Sequence, residues 1–125
     1  MEVQSNDPHD LSNIIDVQCI RKGYKEYDYE QFITYNFIIH NKSEKDIRAV
    51  KGLISFTNLF GDEINSLGFV YDESIKSGRK NNYNATTDYN QYVDRDRDLK
   101  NKDLKDLKVI WKPEKIIFSD GSSIG

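Results

Sequence analysis

Asp94, Asp96 and Asp98 form D-x-D-x-D, a spacing that in a calcium loop sets carboxylate oxygens at alternating ligand positions. The rest of such a loop is missing. Leu99 stands where a glycine is needed and Lys105 where the twelfth-position glutamate would be, and Arg95 and Arg97 repel a cation. The segment reads as a solvated charged loop, and no metal is assigned. His9 and His40 are the two histidines. A general base needs an orienting partner and a nucleophile within reach. Ser43 lies near His40 in sequence, but no G-x-S-x-G elbow occurs. Cys19 is the single cysteine and falls on the apolar phase of a strand, where a thiol behaves as a small hydrophobe. No catalytic residue and no cofactor are assigned, and the chain is read as not an enzyme.

The tyrosines are the better candidates. Tyr24, Tyr27 and Tyr29 fall within six positions, and Tyr89 and Tyr92 cluster later. Tyrosine on a loop offers large contact area at modest entropy cost, which suits a protein or glycan partner. The plainer reading has these rings closing the ends of the domain with their hydroxyls in water. Both stay open from sequence alone.

Something must hold these residues. The chain has 125 residues, 37% hydrophobic and 31% charged, with eight Tyr and six Phe. That is the size and composition of one globular domain. A net charge of −3 gives no excess to neutralise phosphates, so no nucleic-acid role is expected. No apolar run is long enough to span a bilayer. A lone cysteine fits a reducing cytosol and equally an envelope protein without a bridge.

Residues 1–13 are polar and unpatterned and read as a flexible leader, with a single domain over 14–125. Ile14 to Ile20 alternates as a first strand, with Ile15, Val17 and Cys19 on one face, and a tyrosine-rich turn region follows. The run from Phe32 to Asp62, FITYNFIIHNKSEKDIRAVKGLISFTNLFGD, reads as a β-hairpin around the turn at 41–46, then a second turn into a third strand. Gly52 within it suggests a bulge or a close neighbour. Weaker strands follow at 63–71, 82–87, 107–111 and 116–118, with an irregular stretch over 89–98 and at most one short helix near Leu99 to Leu107. The pattern predicts an all-β fold, an antiparallel immunoglobulin-like β-sandwich of about seven strands. The expected core is Ile15, Val17, Phe37, Ile39, Val50, Ile54, Phe56, Val109, Trp111 and Ile117.

Asn41-Lys42-Ser43, Phe56 to Gly61, Ile75-Lys76-Ser77-Gly78 and the closing WKPEKIIFSDG resemble the turn and core motifs of FxLYD-like immunoglobulin-like domains of bacterial lipoproteins. The likeness spans most of the chain. Asn58 stands where that pattern has an acidic residue, and no lipidation signal precedes Cys19. The resemblance implies an extracytoplasmic module of a bacterial cell envelope, with a membrane tether supplied by an upstream signal, and no known chemistry. It speaks for fold more than for function. The expected role is non-catalytic binding of a protein or glycan. The alternative is an assembly protein that pairs through an edge strand, such as the one near Ser66 to Phe69, as a weak homo-oligomer.

Overall fold

Alternation of apolar and polar residues draws out seven strands in this computed structural model, which describes residues 11–125. They are β1 (Ile15–Tyr27), β2 (Glu30–Asn41), β3 (Ile47–Thr57), β4 (Glu63–Tyr71), β5 (Lys80–Asp88), β6 (Lys108–Phe118) and β7 (Ser123–Ile124). One helix, α1 (Asp94–Asn101), and 3-10 turns at Leu11–Asn13 and Leu104–Asp106 complete the described residues. The strands form two antiparallel sheets, β1-β2-β5 and β4-β3-β6-β7. The protein is an all-β, immunoglobulin-like sandwich.

The expected hairpin across Phe32 to Asp62 does not form. β2 pairs with β1 and β5, whereas β3 pairs with β4 and β6. The segment between β2 and β3 therefore crosses from one sheet to the other. Alternation specifies which face a residue occupies, and it is silent about which strand lies alongside. The hairpins are β1–β2, β3–β4 and the short β6–β7. The first turns through Asp28 and Tyr29, both left-handed (φ 51° and 68°), the backbone of a type I′ turn. So β1 runs on to Tyr27 through the stretch expected to be a turn region. The second turns at Asn58 to Asp62, where Asn58 Oδ1 accepts from the amides of Phe60 (2.9 Å) and Asp62 (3.0 Å).

The core lies between the sheets. Phe37 of one sheet meets Phe69 of the other edge-to-face at 5.4 Å, and Tyr35 stacks on Phe56 at 5.6 Å. Ile15, Val17, Phe37, Ile39, Val50, Ile54 and Phe56 are buried as expected. Val109 and Trp111 are half-buried. Trp111 closes the gap between sheets by donating Nε1–H to the Ile15 carbonyl at 3.2 Å. Ile117 is a correction, because it is 38% exposed. A bulge opposite Lys51 and Gly52 inserts a residue near Pro113 and flips the phase, so that Ile116 points inward instead. The helix also begins earlier than expected, at Asp94, with Leu99 buried. Of the expected leader, Leu11 is buried in the core, and residues 1–10 lie outside the described residues.

Two features fix this packing. Gly52 sits under Trp111, and a Cβ there would lie 2.6 Å from the indole and 2.5 Å from the Lys112 carbonyl oxygen. Asn41 is fully buried at the end of β2. Its Nδ2 donates to the carbonyls of Lys45 (2.8 Å) and Ile75 (2.9 Å), and its Oδ1 accepts from the Ser43 amide (2.9 Å) and hydroxyl (2.7 Å).

Gly52→Ala is expected to lower stability by about 1–3 kcal/mol through overpacking, read as a lower urea midpoint with unchanged slope. Asn41→Ala leaves buried carbonyls unpaired and is expected to cost about 2–4 kcal/mol, measured the same way.

Candidate functional site

The five tyrosines collect at one end of the three-stranded sheet. Tyr24 lies in β1 opposite Ile33, and Tyr89 follows β5, with its amide donating to the Gln31 carbonyl at 2.9 Å. Their rings meet edge-to-face at 5.4 Å. Lys100, from the last turn of α1, sits 4.2 Å from the Tyr24 centroid and 5.3 Å from that of Tyr89. Lys22 donates Nζ–H to the Lys100 carbonyl at 3.2 Å, tying β1 to the helix. Burial lowers the pKa of Lys22, and burial together with Glu26 raises that of the Tyr24 hydroxyl. Tyr24 and Tyr89 are thus half-buried support.

Tyr27, Tyr29 and Tyr92 are presented instead, with 73%, 102% and 82% exposure. Tyr29 occupies the left-handed turn, and Tyr92 stands in the loop before α1. That loop is pinned: Asp96 Oδ2 accepts from the Asn90 amide at 2.9 Å, and Asn90 Oδ1 accepts from the Tyr92 amide at 2.9 Å. The D-x-D-x-D aspartates therefore lie on α1. Asp94 pairs with Arg97, and Asp96 caps the loop.

Sequence reasoning missed a second feature. The solvent face of the same sheet forms an open polar trough of about 590 Å³. Arg21, Lys25, Thr34, Asn36, Asn84 and Thr86 line it, and Asn36 Nδ2 donates to Asn84 Oδ1 at 2.6 Å. Gly23, between Arg21 and Lys25, leaves the row bare opposite Thr34. The asparagine and threonine alternation of β5 was its sequence signal. Such a set offers donors and acceptors to a polar ligand but no nucleophile with an adjacent base.

His40 stands on that solvent face, beside Asp16 and Lys80 in register, and His9 lies outside the described residues. Cys19 faces inward beside Phe37, and burial pushes its thiol pKa up to about 11. Among the described residues, no three His, Cys, Asp or Glu side chains are grouped to hold a metal. No helix among them is long and apolar enough to cross a membrane.

No protein-family model matches the chain. No curated protein matches it either. One solved structure is similar in shape, an X-ray structure of a Northeast Structural Genomics Consortium target. It is 12% identical with a TM-score of 0.49, and the match covers 91% of this chain and 81% of that one.

A thiol at pKa about 11 has about a hundredfold less thiolate at neutral pH than one at the ordinary 9.0. Cys19 is expected to react with a disulfide reagent at least that much more slowly than a small free thiol. The rate should still be rising at pH 10. A plateau near pH 8 would contradict the buried placement.

Proposed function

We propose that this domain is a non-catalytic binding or accessory module of a bacterial cell envelope, working outside the cytoplasm. The observation that carries the reading is the display of Tyr27, Tyr29 and Tyr92 at one pinned end of the sandwich. Exposed rings on ordered backbone lose little entropy on contact, which is what a protein or glycan contact surface needs. The polar trough beside them adds amide and hydroxyl groups suited to a glycan. The extracytoplasmic address is supported by the resemblance of the turn motifs alone. The alternative, assembly through an edge strand, has one supporting feature. β4 is an edge of its sheet, with Val70 64% exposed.

The test is titration with soluble peptidoglycan fragments, followed by amide shifts. Saturable shifts are expected at residues 27–29 and 89–93, extending to the trough residues Thr34, Asn36, Asn84 and Thr86. The triple variant Tyr27→Ala, Tyr29→Ala, Tyr92→Ala should bind at least about tenfold more weakly. Its melting temperature should hardly change, since these rings are exposed. Unchanged binding by that variant would remove the tyrosine end from the site. A concentration-dependent dimer that survives the three substitutions would favour edge-strand assembly.

A further inference from the structure

The solvent face of the four-stranded sheet carries a different pattern. Register places Lys51 between Val70 of β4 and Lys115 of β6, Lys112 opposite Leu53, and Lys108 opposite Thr57. All four lysines are exposed, and among the described residues none forms an ion pair. The neighbouring carboxylate, Glu63, is engaged by the Ser55 hydroxyl at 2.6 Å. Glu114 falls in the bulge of β6. Between the lysines stand exposed aliphatic side chains: Val70 at 64%, Ile110 at 40% and Ile117 at 38%. A shallow depression of about 310 Å³, lined by Val70, Ile117 and Ala49, opens between Lys51 and Lys115.

The chain as a whole is acidic, at −3, so this face runs against the sign of the molecule. Four unpaired cations attract an anionic surface. Lysine is depleted from protein–protein interfaces, where arginine and aromatics dominate, so a lysine and aliphatic face is a poor match for a protein partner. It matches a phospholipid boundary, where ammonium groups meet headgroup phosphates and short aliphatic side chains enter the layer beneath.

We infer that this face docks on an anionic lipid bilayer. The inference goes beyond the binding role proposed above and does not depend on it, because the tyrosine end and the trough belong to the other sheet. Each lysine near an anionic surface strengthens binding about fivefold. Binding is therefore steeply salt-sensitive.

The test is co-sedimentation of the protein with phosphatidylcholine vesicles, with and without phosphatidylglycerol. Binding is expected with phosphatidylglycerol at low salt, fading at high salt and absent with phosphatidylcholine alone. Lys51→Glu, Lys112→Glu, Lys115→Glu together should weaken it more than about a hundredfold. A control carrying Lys25→Glu, Lys42→Glu and Lys80→Glu has the same net charge with the face intact, and should retain most of the binding. Circular dichroism confirms that both variants fold. Equal loss in both variants would attribute binding to net charge and overturn the inference. So would equal binding to the two vesicle types, or none to either. Capture of poly-glutamate without vesicle binding would replace the lipid by an acidic polypeptide, and would also overturn it.

Discussion

One buried amide holds the two sheets in order. Asn41 ends β2 at the point where the chain leaves the three-stranded sheet, and its side chain serves both the crossing segment and the segment that returns. It binds Lys45 and Ser43 on the outgoing side and Ile75 on the returning side. Around it, the Ser77 amide donates to Asp46 Oδ1 at 2.9 Å, and the Ser77 hydroxyl donates to the Ser43 carbonyl at 2.7 Å. Ile47 and Ile75 exchange backbone bonds at 2.9 Å. A buried amide left without these partners would be costly, whereas fully satisfied it specifies one arrangement. The relative placement of β2 and β3, and so the depth of the core between them, follows from that joint.

Much of this was legible in the sequence. Most strand positions came through because the side-chain period is two and the core face is apolar. But β6, expected as two strands on either side of Pro113, is continuous, and β7 was not expected. Ile33, Tyr35, Phe37 and Ile39 alternate without interruption, and all four are buried. Strand partners did not come through. Phe32 to Asn41 and Ile47 to Thr57 look like hairpin halves because the turn chemistry of Asn, Ser and Asp is the same whether the chain folds back or crosses over. Ile117 was misplaced because a bulge shifts phase without changing composition. Gly52 was readable as a close approach, but not that Trp111 was the neighbour.

The candidate site divides in the same way. That tyrosines cluster is a statement about sequence. That Tyr24 and Tyr89 pack on each other beneath Lys100, leaving Tyr27, Tyr29 and Tyr92 outward, needs β1, β5 and α1 assembled together. The lysine face was hidden for a similar reason, since Lys51 is distant in sequence from Lys112 and Lys115. The two sheets also differ in what they turn outward. One shows amides, hydroxyls and an aromatic end. The other shows ammonium groups set among aliphatic side chains.

The crossover at Asn41 also sets the order in which the chain can form. During synthesis from the N-terminus, β1–β2 and β3–β4 can close locally. Neither has a partner for its apolar face except the other, and the joint between them needs Ile75. The remaining neighbour of β3 is β6, which ends at Phe118. Loop closure over such separations is slow compared with hairpin formation. The nascent protein thus carries two hairpins whose shared core, with Phe37, Phe56 and Phe69, is incompletely covered until β6 has emerged. It is in that interval, rather than in the finished sandwich, that this chain is most exposed to aggregation.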